Sequence, residues 1–275
     1  MGIGPSSAYW MRTLQERNVF DGGKSVIELG PSLFRWPEKP LLRFLDKYYP
    51  DKDQQARFLG KLTLADGTYK EPVARGFYEL LGFEHYDAID YGDGDATIKH
   101  DLNQELPITR QYDLVADFGT IEHVFNIGEA FRTVHNLTRP GGVNLHVLAT
   151  FGGYYHGFYN THSVTWKSLA QANNYEVLDL LYLHDMQVEH RRVEKHLYAK
   201  FEDIKDREVR LQHIRFFVDY FSSLITGKER THSHILAAFR KTSDKPFVYP
   251  HQINKYSIDT DTQLWEEELR PQVKI

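Results

Sequence analysis

Cysteine is absent from the 275-residue sequence, and methionine occurs only three times. The lack of cysteine excludes disulfide bonds, thiolate nucleophiles and thiolate metal sites, and it is compatible with a reducing compartment. No apolar run is long enough to span a bilayer, and the first residues lack the basic and then apolar layout of a secretory signal. We therefore expect a cytoplasmic protein that has no membrane partner.

The sequence also lacks a large excess of charge of either sign. Its formal net charge is −5, so no global basic field attracts nucleic acid. The most charged segment runs from Glu189 to Arg210 and mixes both signs, which is typical of a solvated helix face. Aromatic residues, by contrast, are plentiful, with 17 Phe, 17 Tyr and 4 Trp. We predict no nucleic-acid partner, and we expect pockets or interfaces lined by rings.

Glycine is sparse in the turn that follows the first apolar strand. The segment from Ser25 to Leu29 is followed by Gly30, Pro31 and Ser32. A buried strand that ends in a tight turn is typical of open α/β sheets, which bind nucleotides at the carboxyl edge. A nicotinamide enzyme is one alternative at such an edge. Its G-x-G-x-x-G turn is matched here only by its first glycine, so this alternative fits less well.

Strand and helix patterns alternate along the chain. After the first strand, further strands are predicted from His85 to Asp90, Ala96 to Leu102, Tyr112 to Phe118, Val143 to Thr150, Tyr175 to Tyr182 and His234 to Arg240. Helices are predicted from Tyr9 to Asn18, Leu41 to Tyr48, Pro72 to Leu81, Thr120 to Leu137 and Trp166 to Ala172. The alternation predicts an α/β fold with a doubly wound, mostly parallel seven-stranded sheet and an antiparallel last strand.

The spacing of these elements predicts one domain over residues 1–275 with helical insertions. The insertions are expected at about residues 31–71 and 184–233, and a C-terminal extension at residues 243–275. The second insertion includes an amphipathic helix predicted from Arg210 to Ile225.

Three predicted strands deliver an acid to the same carboxyl edge of the sheet. These acids are Glu28, Asp90 and Asp101. A carboxylate after the second strand offers two acceptor oxygens to the two hydroxyl groups of a ribose. An acid after the third strand can accept a hydrogen bond from an adenine amine. The set predicts a nucleotide-like ligand at this edge.

The sequence resembles the class I S-adenosylmethionine-dependent methyltransferases through VIELG, AIDYG, HDLN, YDLVADFGTIEHV, RPGGVNLHV and ILAAF. The resemblance extends from about Ser25 to Tyr182 and includes the last strand. The segments TIEHV, PGG and GYYHGFYNTHSVTWKSLAQANNYEV are most similar to bacterial small-molecule enzymes of glycan and natural-product metabolism. The resemblance implies a Rossmann-like fold and S-adenosylmethionine as the cofactor.

The same resemblance implies which residues contact the cofactor. Glu28 and Gly30 would border the methionine part, Asp90 the ribose, and Asp101 with Leu102 the adenine. Ser32 and Phe118 complete the predicted set. The sequence departs from the family where many members carry further glycines, since Ser32 and Phe34 occupy that part of the turn.

Two histidines are candidate bases for deprotonating an acceptor. His123 follows the fourth strand, and His156 lies in a glycine-hinged aromatic loop after the fifth. Substrate contacts are predicted for Tyr155, Tyr159 and His162. The neighbouring Glu122 is interpreted as a partner of the helix dipole. No tight ligand spacing predicts a metal site.

These patterns favour methyl transfer from S-adenosylmethionine to a small-molecule acceptor, above all a hydroxyl group of a sugar or natural product. A nitrogen or carboxylate acceptor would need less help from a base. The alternative is a non-catalytic binding or scaffold protein that retains the fold, because the glycine loop is altered and the insertions are large.

Overall fold

A computed structural model provides the structure of the protein. It describes residues 2–34, 36, 38–62, 74–92, 96–151, 156–184, 197–200, 218, 221, 225 and 233–251. The strands are β1 (Gly2–Ile3), β2 (Ser25–Leu29), β3 (Leu33–Phe34), β4 (His85–Asp90), β5 (Ile98–Lys99), β6 (Tyr112–Asp117), β7 (Thr138–Phe151), β8 (Glu176–His184), β9 (Leu197–Lys200) and β10 (Ser233–Arg240). The α-helices are α1 (Pro5–Glu16), α2 (Glu38–Tyr48), α3 (Lys52–Leu62), α4 (Arg75–Leu80), α5 (Ile127–Leu137) and α6 (Ser163–Asn173).

The main sheet has the order β5-β4-β2-β6-β7-β10-β8-β9. The pairs from β5 to β7 are all parallel, and β10 is antiparallel to both of its neighbours, β7 and β8. The predicted doubly wound sheet with an antiparallel last strand is thereby confirmed. Strand β9 adds an eighth member at the edge, antiparallel to β8. It comes from the second predicted insertion.

Helices cover both faces of the sheet because neighbouring residues of a strand point to opposite sides. Val26 belongs to one hydrophobic cluster and Ile27, the next residue, to the other. The first cluster gathers the helices α1 to α4 through Trp10, Leu14, Phe44, Phe58 and Phe77. The second gathers α5 and α6 through Phe131, Val134, Trp166 and Leu169. The two halves of the core meet across β2 and β6.

The structure corrects the predicted start of the helix after β6. The sequence pattern began this helix at Thr120, whereas α5 begins at Ile127 and is preceded by a separate 3-10 turn, Ile121–His123. The cause lies in Asn126, whose side chain accepts a hydrogen bond from the Glu129 N–H and so caps α5 at that point. Glu122 and His123 consequently lie in this separate turn and not in the first turn of α5.

Other boundaries differ by small amounts. Strand β5 is shorter than predicted, and β7 begins at Thr138 rather than at Val143. The helix predicted from Arg210 to Ile225 lies almost entirely outside the described residues. The segment from Glu189 to Arg210 was interpreted as a helix face, but its described residues, Leu197–Lys200, form strand β9. Within the described part of the chain, no helix combines the length and apolar character that crossing a membrane requires.

Candidate active site

The turn after β2 is held tightly at the carboxyl edge of the sheet. Gly30 has a φ of +72°, a conformation that glycine adopts readily and other residues rarely do. Its N–H donates to the Ile89 carbonyl over 2.7 Å. The Thr120 hydroxyl, in the turn after β6, donates to the Leu29 carbonyl. The turns that follow β2 and β6 are therefore joined to each other.

Glu28 supports this turn from within the core. Its side chain is fully buried, and its two carboxylate oxygens accept from the Tyr78 and Tyr86 hydroxyls, each over 2.7 Å. One of these oxygens also accepts from the Ser32 N–H over 3.1 Å. Burial raises the pKa of Glu28 to about 6 against the opposing effect of these hydrogen bonds. The acid thus fixes the backbone at Ser32, and its predicted contact with a cofactor remains a prediction.

Glu28 should give the stability of the protein a distinct pH dependence. Its pKa is raised from 4.5 to about 6 on folding, so the folded state holds this proton more tightly than the unfolded state. The stabilisation is complete below about pH 4.5 and is lost as the pH rises through about 6, a change of about 2 kcal/mol. Urea unfolding of the wild type and Glu28→Gln at a series of pH values measures it.

The difference between the two proteins isolates Glu28 from the other carboxylates. We expect the wild type to lose about 2 kcal/mol relative to Glu28→Gln between about pH 4 and pH 7. A difference that stays constant across this range would contradict the assignment.

The two other predicted cofactor acids lie at the end of β4 and just after β5, at the same edge of the sheet. Asp90 is the last residue of β4, and its carboxylate accepts from the Gly92 N–H over 2.7 Å. Asp101 follows β5 and accepts from the N–H and the side-chain amide of Asn103, over 2.9 and 2.7 Å. These hydrogen bonds from Asn103 lower the pKa of Asp101. Both carboxylates are held in place by their own turns; β4 pairs with β2, and β5 pairs with β4 on the far side.

An asparagine pair, which the sequence patterns did not single out, connects the turn after β5 to α5. The Asn126 N–H donates to the side-chain oxygen of Asn103 over 2.8 Å, and the Asn126 amide donates to the Asn103 carbonyl over 3.2 Å. Asn126 is also the cap of α5. The turn that holds Asp101 is therefore fixed relative to the start of that helix.

The turn after β6 is stabilised by Asp117. Its carboxylate accepts from the Thr120 and Ile121 N–H groups over 2.8 and 3.2 Å. The same side chain contacts His146 on β7, where Nδ1 lies 3.1 Å from Oδ2, and both groups are buried. Asp117 therefore fixes the short 3-10 turn that presents Glu122 and His123.

Glu122 lies at the centre of a cluster with two histidines. Its side chain is only 1% exposed, and Oε2 accepts from the Ala149 N–H over 2.7 Å. Oε1 lies 2.9 Å from Nε2 of His156 and 3.8 Å from Nε2 of His123. Burial raises the pKa of Glu122 to about 7, and the nearby Asp117 adds to the rise. The interpretation of Glu122 as a helix-dipole partner is wrong, since its carboxylate faces β7 and His156.

The loop that carries His156 is fastened to the backbone of the same turn. The Phe158 and Tyr159 N–H groups donate to the Glu122 carbonyl over 2.8 and 3.2 Å. Gly157 permits this approach, because a Cβ at that position would lie 2.7 Å from the Glu122 carbonyl oxygen. The loop is thereby anchored directly after His156, the residue that faces Glu122.

The two predicted base candidates are brought together. The His123 and His156 rings have their centroids 4.9 Å apart in an edge-to-face arrangement. The side chains are 40% and 35% exposed, so each is open to solvent on one side. Burial, followed by the neighbouring His156, lowers the pKa of His123 and favours its neutral form.

The remaining predicted residues occupy varied positions. Phe118 and Leu102 are buried, each in a different half of the core. The Tyr159 hydroxyl donates to the Phe125 carbonyl over 2.8 Å. His162 is the residue before α6, and its ring accepts from the Val164 N–H over 3.4 Å. Tyr155 lies outside the described residues, so its predicted substrate contact remains a prediction.

An exposed aromatic pair borders the histidine cluster. Phe125 and Phe158 are 68% and 63% exposed, and their rings meet edge to face at 5.6 Å. Phe125 follows the 3-10 turn, while Phe158 lies two residues beyond His156. The arrangement offers polar groups with an apolar border at the same edge of the sheet as the three acids.

No family model matches the chain, and neither does any curated protein. Among solved structures it is similar to a candidate methyltransferase from Bacillus halodurans C-125, with 13% identity, 85% of this chain and 99% of that chain covered, and a TM-score of 0.45. The N-methyltransferase NodS from Bradyrhizobium japonicum WM9, crystallised with S-adenosyl-L-homocysteine, is similar at 10% identity, with 87% and 89% covered and a TM-score of 0.39. Similarity this remote assigns no activity to the chain.

Proposed function

We propose that this protein transfers a methyl group from S-adenosylmethionine to a small-molecule acceptor, most favourably a hydroxyl group of a sugar or natural product. The observation that carries the proposal is the meeting, at one carboxyl edge, of acid-terminated strands and a buried Glu122 paired with His156. The first feature suits a nucleoside cofactor, and the second suits an acceptor that must lose a proton.

The cofactor half of the proposal rests on Gly30, Asp90 and Asp101. The positive φ at Gly30 brings the backbone of the turn to the edge of the sheet without a side chain. Asp90 offers its carboxylate to the ribose hydroxyls, and Asp101 to the adenine amine. Asp90 ends β4 and Asp101 follows the adjacent strand β5, which is the order that an extended nucleoside would follow away from β2.

The acceptor half rests on His156 and the groups that orient it. Nε2 of the ring contacts Glu122, which orients the imidazole that takes the hydroxyl proton. The acceptor oxygen then attacks the methyl carbon in line with the carbon–sulfur bond, whose electrons remain on sulfur and leave S-adenosylhomocysteine. Glu122 is a positioning residue, since it acts on the reaction through His156. Phe125 and Phe158 provide an apolar surface for the acceptor.

Calorimetric titration with S-adenosylmethionine tests the cofactor half. We expect the wild type to bind and Asp90→Ala to bind at least about tenfold more weakly, because the ribose hydroxyls lose a paired acceptor worth about 1.5–3 kcal/mol. Asp46→Ala is the matched control, since Asp46 is an exposed acid on α2 that pairs with Lys52. Absence of binding at millimolar cofactor would overturn the proposal, and unchanged affinity in Asp90→Ala would overturn the ribose assignment.

A methyl-labelled cofactor tests the acceptor half. The labelled cofactor is incubated with the wild type and a panel of sugars, phenols, amines and carboxylic acids, and label transferred to each is counted. We expect transfer to hydroxyl compounds. Transfer to amines or carboxylates alone would contradict the assignment of a hydroxyl acceptor while leaving methyl transfer in place.

A further inference from the structure

We propose that Glu122, His123 and His156 form a binding site for a divalent transition-metal ion such as Zn²⁺. One ligand atom from each of the three residues lies within 4.8 Å of the others. Two imidazoles and one carboxylate are a ligand set that Zn²⁺ and related ions use in proteins. The inference goes beyond methyl transfer, because ion binding requires neither cofactor nor acceptor.

The distances around Glu122 are close to those that a shared ion requires. Metal–ligand bonds of about 2.0–2.2 Å in a tetrahedral site place neighbouring ligand atoms about 3.4 Å apart. The separations from Oε1 of Glu122 are 2.9 Å to His156 and 3.8 Å to His123, which lie on either side of that value. Small rotations of the half-exposed histidine rings would equalise them. The carboxylate itself need not move.

The surroundings of Glu122 provide the support that a metal ligand needs. The Ala149 N–H donates a hydrogen bond to Oε2 over 2.7 Å and so fixes the plane of the carboxylate. The other oxygen, Oε1, is directed at the histidines. The Glu122 carbonyl holds the backbone of the loop that brings in His156. Ligands from two separate segments are therefore positioned before any ion arrives.

Charge favours the same conclusion. A buried carboxylate is costly unless a positive group compensates it, and the two groups near Oε1 are imidazoles that carry no permanent charge. Asp117, which holds the start of the same turn, adds a second negative charge nearby. A divalent ion bound at Oε1 would compensate the Glu122 carboxylate directly.

Three protein ligands leave a tetrahedral ion with one open position. Bound there, an acceptor hydroxyl would have its pKa lowered by the ion and release its proton to solvent. The imidazole nitrogens would then serve as ligands, so the ion-bound and the ion-free protein activate a hydroxyl in different ways. Both arrangements use Glu122 and His156.

Titration of the untagged, chelator-treated full chain with Co²⁺ and Zn²⁺ tests the site. We expect one ion per chain, with a visible ligand-field absorption for Co²⁺ that Zn²⁺ abolishes by displacement. Glu122→Gln, His123→Ala and His156→Ala should each weaken binding by more than about tenfold, since even residues that only support a ligand are worth about 10–100-fold. His85→Ala removes an exposed histidine at the start of β4 and should bind as the wild type does.

Two results would overturn the site. One is the absence of a stoichiometric ion in the wild type, and the other is equal binding by the wild type, His123→Ala and His156→Ala. Circular dichroism of each variant separates loss of ligands from loss of folding. Because the titration contains no S-adenosylmethionine, failure of this proposal leaves the cofactor titration unaffected, and the reverse also holds.

Discussion

Replacement of His156 by alanine is expected to lower kcat for methyl transfer by about 100- to 10,000-fold, which is the usual contribution of a positioned acid or base. The affinity for S-adenosylmethionine should stay unchanged, because His156 lies on the loop after β7 and the predicted cofactor acids follow β4 and β5. The measurement is steady-state kinetics with the hydroxyl acceptor identified from the panel, beside a calorimetric cofactor titration of the same preparation.

Added imidazole distinguishes a chemical role of His156 from a structural one. Free imidazole can enter the space left by the side chain and accept the proton, so it should restore part of the lost kcat. His85→Ala serves as the control, since its side chain is exposed at the opposite end of β4. Full activity in both His156→Ala and His123→Ala would remove histidine from the mechanism.

Replacement of Gly30 by alanine should cost both stability and cofactor binding. A Cβ at Gly30 would lie 2.5 Å from Oγ1 of Thr120, and the φ of +72° is itself unfavourable for alanine. We expect the conformational strain to cost about 1–2 kcal/mol and the overlap a further 1–3 kcal/mol or so. Urea unfolding measures the total, and the cofactor titration measures the displacement of the turn.

Gly22 provides a matched control for the strain. It has nearly the same φ, +71°, but a Cβ there would have no atom within 4 Å. Gly22→Ala should therefore show the strain alone and leave cofactor binding intact. The double variant Gly30→Ala, Thr120→Ala removes the overlapping oxygen and should recover part of the loss. Equal destabilisation by Gly22→Ala and Gly30→Ala would show that the contact with Thr120 costs nothing.

Much of the fold follows from local sequence patterns. The segments Ser25–Leu29 and Tyr112–Asp117 are buried parallel strands. Both faces of such a strand are covered, so its sequence is a nearly continuous apolar run that is easy to recognise. The start of α5 was not predicted correctly. The helix begins where Asn126 caps it. A helix beginning at Thr120 would have the same hydrophobic period, so the pattern alone does not distinguish the two starts.

Less of the candidate site could be predicted from the sequence, because its contacts join residues that are far apart in the chain. Glu122 and His156 are 34 residues apart, and Ala149, which fixes the carboxylate, is 27 residues away. The adjacency of Glu122 and His123 after a strand was a visible signal, but no local pattern indicates which way the Glu122 side chain points. Similarly, the hydroxyls that donate hydrogen bonds to Glu28 belong to Tyr78 and Tyr86. The positions of these tyrosines in the chain do not indicate that they contact Glu28.

The position of β10 has a consequence for how the chain is made. Among the described strands, β8 pairs only with β9 and β10, so β10 alone joins it to the rest of the sheet. Strand β10 pairs with β7 across about ninety residues of chain. A nascent chain on the ribosome can assemble the parallel half, but β7 keeps an open edge until Arg240 has emerged. During synthesis this apolar edge is where a chaperone would be needed, or where two unfinished chains would associate.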